Sequence, residues 1–227
     1  RLFADDCILY REISSNQDTA ILQRDLSKLV EWEGRWQMSF NTKKCYVMTI
    51  THKKQPLRSN YCMGPSVLER VDRYPYLGVE ISDDLSWSKH IDKVLSKSNR
   101  TLGLLRRNLW SCKPHTKEVA YKTLVRPQLE YSSSIWGPHT AKDIDRLEMI
   151  QRRAARFVCR DYRREEGVVT ELLRRLKWPT LRERRATARL SLFYKAINHT
   201  AALDIHHLLQ TSARSTRSNN TSDLTYI

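Results

Sequence analysis

Leu2-Phe3-Ala4-Asp5-Asp6-Cys7-Ile8-Leu9-Tyr10 opens the chain with two adjacent acids set between apolar runs. The pattern predicts a strand, a tight acidic turn and a second strand. Such a turn presents the carboxylates of Asp5 and Asp6 at the tip of a hairpin, as hard oxygen ligands suited to Mg²⁺. An Asp-Asp pair alone is weak evidence, because surface turns favour Asp. The rest of the chain decides its meaning.

Outward from the hairpin, the pattern changes once. Up to about residue 82, strands and one helix alternate. Apolar positions Ile21, Leu22, Leu26, Leu29, Val30 and Trp32 follow helical spacing behind a cap at Asn16 or Asp18, and Gly34 weakens the last turn of that helix. Cys45 to Thr51, a short run at Tyr61-Cys62-Met63, Val67 to Val71 and Tyr76 to Ile81 predict strands, with Gly64-Pro65 as a turn. From residue 83 on, everything predicts helix: about 87–109, 115–126, 141–160, 168–177 and 180–198, punctuated by Pro114, Pro127, Pro138 and Pro179. The fold class is therefore α+β followed by an all-helical part. Residues 199–227, rich in Ser, Thr, Asn and Arg, predict a disordered tail. No internal repeat is present.

Charge follows the same division. The 227 residues carry a formal net charge of +15. Residues 1–80 hold 12 Lys/Arg against 10 Asp/Glu, and residues 81–227 hold 28 against 15. A basic half joined to a near-neutral half predicts a polyanion partner, most simply a nucleic acid backbone. In the 87–109 helix, Trp87, Ile91, Val94, Leu95, Leu102, Leu105 and Leu109 form one apolar face. Lys89, Lys93, Arg100 and Arg107 lie roughly opposite, where they either line a phosphate backbone or are simply solvated. The 141–160 helix repeats the pattern, with Ile144, Leu147, Ile150, Ala154 and Phe157 inward and Lys142, Arg146, Arg153, Arg156 and Arg160 on another side. A second acid pair, Asp83-Asp84, precedes a helix near Ser86 and predicts a capping role rather than a metal site.

Several classes are set aside. The five cysteines are odd in number, scattered and without a Cys-x-x-Cys, so neither a zinc knuckle nor a disulfide framework is indicated. A reducing, intracellular compartment is expected. No stretch approaches the roughly 18 apolar residues of a membrane span, and no signal peptide is recognisable. His206-His207 has no Cys or acid spaced to complete a metal site. The six tryptophans fall mostly at helical or strand-end positions and are expected in cores rather than as base-stacking platforms.

Taken in order, these motifs form a larger pattern. Phe3-Ala4-Asp5-Asp6 is followed by Leu22-Gln23-Arg24-Asp25-Leu26, Trp32, Trp36-Gln37-Met38, Phe40-Asn41-Thr42-Lys43-Lys44-Cys45 and Val47-Met48. Then come Tyr76-Leu77-Gly78-Val79, Asp84-Leu85-Ser86-Trp87, His90-Ile91, Ala120-Tyr121, Leu124-Val125-Arg126-Pro127, Leu129-Glu130-Tyr131, Trp136 and Gln151-Arg152-Arg153-Ala154-Ala155-Arg156. This order resembles the reverse transcriptases of LINE-type (non-LTR) retrotransposons over roughly residues 1 to 195.

The resemblance implies a partial polymerase palm at 1–82, made of antiparallel hairpins and one helix, and a basic helical thumb and connection at 83–198. It implies that Asp5 and Asp6 bind Mg²⁺ or Mn²⁺, Asp5 the more directly, and that Phe3 and Ala4 sit against the primer end or incoming nucleotide. It implies that Lys44, or its neighbour Lys43, neutralises the leaving pyrophosphate, and that Tyr76, Leu77 and Gly78 form the primer grip. The partners implied are an RNA template, a DNA primer and dNTPs, in nucleus and cytoplasm. A further metal-binding aspartate and a fingers domain, both expected upstream of the hairpin, are not in this sequence, so the chain alone is expected to be inactive. The alternative is a non-catalytic basic helical module that binds RNA or DNA. Oligomeric state is not legible.

Overall fold

The computed structural model describes residues 1–203 and 205, and the backbone of 209–211 and 224–226. Two compact units emerge, Arg1–Trp87 and Ser88–Ile227. His206-His207 and most of the tail expected to be disordered lie outside the described residues.

The first unit begins with the β1 (Leu2–Phe3) and β2 (Asp6–Cys7) hairpin, in which Phe3 pairs with Asp6. Helix α1 (Asn16–Trp36) follows. Its cap is neither Asn16 nor Asp18 but Ser15, whose backbone is extended. Ser15 Oγ accepts from the Asp18 N–H at 3.3 Å, and the Asp18 carboxylate accepts from the Ser15 N–H at 2.9 Å, so Asp18 is the other half of a capping box. The hydrogen bond from the Ser15 hydroxyl and those from the Ser14 and Ser15 main chain hold the Asp18 carboxyl below the usual range. Gly34 is accommodated within the helix, which ends at Gln37 in the left-handed region.

Seven residues expected as one strand from Cys45 pair only at β3 (Tyr46–Val47), which follows a 3-10 turn at Thr42–Lys44. The run Val67 to Val71 divides at Leu68. On one side β4 (Cys62–Met63) and β5 (Ser66–Val67) form a hairpin; on the other β6 (Glu69–Arg70) runs parallel to β3. Pairing changes partner there because the Leu68 N–H reaches Tyr61 O at 2.8 Å while the Val71 N–H reaches Val47 O at 2.9 Å. Likewise Tyr76 to Ile81 is not one strand. It turns at Leu77-Gly78, so that β7 (Arg73–Tyr76) and β8 (Val79–Ser82) make a hairpin closed by Tyr76↔Val79. The small antiparallel sheet is thus a set of two-stranded ladders, one of them parallel.

Short ladders leave open edges, and side chains close one of them. The Gln23 carboxamide donates to Cys62 O at 2.9 Å and accepts from the Cys62 N–H at 2.8 Å. Gln23 thereby acts as one residue of a strand beside β4, which satisfies main-chain groups that the ladder leaves open. The apolar centre of this unit is small: Tyr61, Met63 and Val79 are buried, and no residue of α1 is.

The second unit is helical: α2 (Ser88–Asn108), α3 (Pro114–Ala120), α4 (Arg126–Glu130), α5 (Ala141–Cys159), α6 (Val168–Arg175) and α7 (Leu181–Ile197). The backbone of 209–211 pairs antiparallel with that of 224–226. Ile91, Val94, Leu95, Leu102 and Leu105 of α2 are buried, as the spacing predicts. The helix expected to stop before Pro127 instead continues to Glu130. Tyr121–Val125 adopts a π turn, with the Arg126 N–H reaching Tyr121 O. Proline lacks an N–H and its ring crowds the carbonyl four residues back; a widened turn relieves both problems.

Buried α5 side chains hold its neighbours by hydrogen bonds. Glu148 accepts from the Leu181 N–H at 3.2 Å and the Arg182 N–H at 2.7 Å, placing a carboxylate on the positive end of α7. Gln151 donates to Pro179 O at 2.8 Å and accepts from the Tyr121 hydroxyl at 3.1 Å. Tyr121 stacks on Trp178 with centroids 4.5 Å apart, and burial pushes its phenol well above the ordinary value. Glu148→Leu leaves two helix-end N–H groups without an acceptor. We expect it to lower unfolding free energy by about 2–4 kcal/mol, measured by urea denaturation; a decrease under about 1 kcal/mol would show that water replaces the carboxylate.

Candidate functional site

The first unit carries the residues singled out for chemistry at tips of turns. Ala4 and Asp5 form the two-residue loop of the β1–β2 hairpin, and Asp6 opens β2 opposite Phe3. Ala4 has φ +52° and Asp5 does not share the positive value. Positive φ confined to the first loop residue is the pattern of a type II′ turn, which matches the twist of a hairpin. Asp5 and Asp6 are exposed and enter no ion pair among the described residues. Their donor chemistry fits Mg²⁺, but no group of three or more His, Cys, Asp or Glu positioned for a metal occurs among the described residues.

Lys43 and Lys44 lie in the 3-10 turn, which is capped by Asn41 through its side chain and the Lys43 N–H at 3.2 Å. The turn ends at Cys45, whose thiol is pushed up by burial first and then by the neighbouring Cys7 and Glu33. No hydrogen bond or salt bridge joins Lys44 to Asp5 or Asp6 among the described residues.

Tyr76, Leu77 and Gly78 form the tip of the β7–β8 hairpin. Leu77 has φ +47° and Gly78 φ +79°. Two successive positive φ values define a type I′ turn, for which Asn-Gly is the favoured pair. Gly78 meets this at no steric cost, whereas Leu77 is strained. Asp83-Asp84 behaves differently: Asp84 accepts from Ser82 Oγ at 2.7 Å and the Ser86 N–H at 2.8 Å. It closes the turn ahead of α2. Ser86 is not the helix cap expected of it, since α2 begins at Ser88.

Comparison with known proteins finds similar sequences. No family model matches, and no solved structure matches. Curated proteins do. The probable RNA-directed DNA polymerase from transposon X-element of Drosophila melanogaster is 27% identical over 163 residues, covering 69% of this chain and 18% of that protein. The RNA-directed DNA polymerase from mobile element jockey of Drosophila melanogaster is 26% identical over 167 residues, and that of Drosophila funebris 27% over 164, each covering 69% of this chain and 17% of its own length. This chain is similar to the RNA-directed DNA polymerases of these mobile elements. It spans about a sixth of the length of those curated relatives.

The second unit carries a strong excess of cations. Lys89, Lys93, Arg100 and Arg107 are exposed along α2, with Lys97 and Arg106 beside them. The acid of that helix, Asp92, is bound by Arg146 at 2.6 Å, which leaves the surface of α2 strongly basic. On α5 the expected line of cations is partly consumed by structure: Arg146 bridges Asp92 and Asp143, and Arg153 donates to Asn99 at 3.1 Å. Sequence periodicity places these arginines on one side but cannot say that α2 is what they face. Nor are all six tryptophans in cores. Trp136 and Trp178 are buried, but Trp32, Trp36 and Trp110 are exposed, because helix ends and loops present side chains that periodicity alone does not assign.

Leu77→Asn tests the turn assignment. Asn accepts the left-handed region more readily, so the variant should stabilise the β7–β8 hairpin by about 0.5–1 kcal/mol, read as a higher urea midpoint. An unchanged or lower midpoint would mean that Leu77's packing outweighs its backbone strain.

Proposed function

We propose that this chain is the palm-end and thumb portion of an RNA-directed DNA polymerase, which in the intact protein extends a DNA primer along an RNA template. One observation carries the reading: a tight hairpin presents adjacent, unpaired carboxylates at its tip, in a chain related to polymerases of that activity. The division of the structure at Trp87 supports a palm at 1–82 and a thumb from 83.

In the intact enzyme, Asp5 and Asp6 would hold divalent ions, Mg²⁺ or Mn²⁺, as part of a larger carboxylate set. Such ions neutralise triphosphate charge and lower the pKa of the attacking 3′-hydroxyl. Phe3 and Ala4 border the same tip and set the surface against which a primer terminus or dNTP packs. Lys44 supplies a cation that can neutralise or protonate the leaving pyrophosphate. Tyr76, Leu77 and Gly78 bring main chain close to the primer strand. Exposed cations of α2 follow the phosphate backbone. The intact protein would act in nucleus and cytoplasm. No helix among the described residues is long and apolar enough to cross a membrane.

With two of the metal ligands and about a sixth of its relatives' length, the chain by itself should not polymerise. Primer extension on an RNA template with Mg²⁺ should show no incorporation; template-dependent synthesis abolished by Asp5→Ala would overturn this. Binding is a separate matter, and the density of cations on α2 favours it even without catalysis. Replacing Lys89, Lys93, Arg100 and Arg107 by Gln should weaken binding to an RNA–DNA hybrid. The salt slope should fall by up to about 0.9 for each phosphate that is no longer neutralised. Asp5→Ala with Asp6→Ala should leave that binding intact. An unchanged salt slope in the Gln variant would remove α2 from the interface.

A further inference from the structure

Trp110 lies in the loop between α2 and α3 and is 53% exposed. Its ring stacks on Tyr162, 41% exposed, which follows α5; the centroids are 6.2 Å apart and the planes 28° from parallel. Two aromatic rings from distant parts of the chain are thus paired while each keeps much of its surface in water.

The pair is fixed by cations. The Arg160 guanidinium carbon lies 5.7 Å from the Trp110 ring centroid, and the same side chain donates to Trp110 O, so ring and backbone are held together. Lys117 is wholly buried behind them, with Nζ 5.7 Å from the Trp110 centroid and 5.0 Å from that of Phe157. That Nζ has no hydrogen-bond partner. Burial first, and then the nearby Arg160, lower the Lys117 pKa from its usual value. A buried cation held against aromatic faces, with a second cation nearby, leaves a positive field at the platform that an approaching anion would relieve.

The surroundings have the same sign. Lys113 directly precedes α3 and Arg164 lies two residues after Tyr162; both are exposed. Asp161 does not cancel them, because Arg163 grips it through paired hydrogen bonds and holds its carboxyl down to about 2. Glu165 and Glu166 are the opposing charges further along the loop. An aromatic stack with cations beside it is the arrangement that binds single-stranded nucleic acid: bases stack on rings and phosphates meet Lys and Arg.

We propose that Trp110 and Tyr162 form a stacking platform for an unpaired base of single-stranded RNA, with its flanking phosphates on Lys113, Arg160 and Arg164. The proposal rests on the RNA-directed polymerase reading for its choice of RNA, and adds to it a base contact that the α2 cations, which meet only backbone, do not provide.

Fluorescence anisotropy of the full chain tests it with four probes: oligo(U), the same RNA with abasic positions, oligo(dT), and an RNA–DNA hybrid duplex. The unaltered chain should bind oligo(U) about tenfold more tightly than the abasic RNA. Trp110→Ala should erase that difference while leaving abasic binding unchanged, and Trp110→Phe should restore most of it. Tyr162→Ala provides a second removal if Trp110→Ala lowers the melting temperature. Equal binding of oligo(U) and abasic RNA by the unaltered chain would overturn the platform, as would an equal loss of affinity for both probes in Trp110→Ala. A loss of affinity in Trp110→Ala seen with oligo(dT) but not with oligo(U) would overturn the assignment to RNA. Salt-dependent binding of the hybrid without any base-dependent contribution sinks the platform and spares the polymerase reading; failure to bind all four probes sinks both.

Discussion

Glu148 places a carboxylate inside a helical unit and commits it to main chain, accepting from the Leu181 and Arg182 N–H groups at the start of α7. Those donors have no partner within their own helix, and buried donors left without one are costly. One turn further along α5, Gln151 links Pro179 O and the Tyr121 hydroxyl. Glu148 and Gln151, two of the polar residues on the buried face of α5, therefore set where α7 starts and how the π turn of Tyr121 lies. Leu147, Ile150, Ala154 and Phe157 fill the space around them.

The first unit meets the same constraint with smaller means. Its ladders are two strands wide and its buried apolar centre is small, so unpaired main chain is its chief liability. Gln23 answers at β4 by presenting a carboxamide in place of a peptide group. The hairpin tips are where function is proposed, and each carries a left-handed residue other than glycine. Ala4 and Leu77 hold left-handed conformations that a glycine would adopt without strain. Such tips present side chains or main chain outward, which suits contact with a nucleotide or a primer strand.

Much of this was legible along the chain. The α2 face was written in the spacing of Ile91, Val94, Leu95, Leu102 and Leu105, because burial of one helical face imposes a period on apolar residues. The Asp5-Asp6 hairpin was legible from its apolar flanks. What escaped depended on partners far away in sequence. Val67 to Val71 looks like a single strand, yet Leu68 is where pairing passes from one neighbour to another. Arg146 and Arg153 look like surface cations, yet they reach α2. Pro127 looks like a stop, yet a π turn carries the helix through it. Trp110 looks like a core residue, yet it sits exposed between cations.

By itself, then, the sequence determined the kind of each long helix, the apolar face of α2, the charge imbalance between the two units and the acidic hairpin at Asp5-Asp6. These depend on neighbours within a few residues, where periodicity and turn chemistry act directly. Tertiary structure alone decided which cations were consumed in bridges, which strands paired in parallel, how Gln23 and Glu148 completed open main chain, and that Trp110 meets Tyr162 beside Arg160 and Lys117. Each of those joins groups tens of residues apart, and no local pattern encodes which distant group will supply the missing partner.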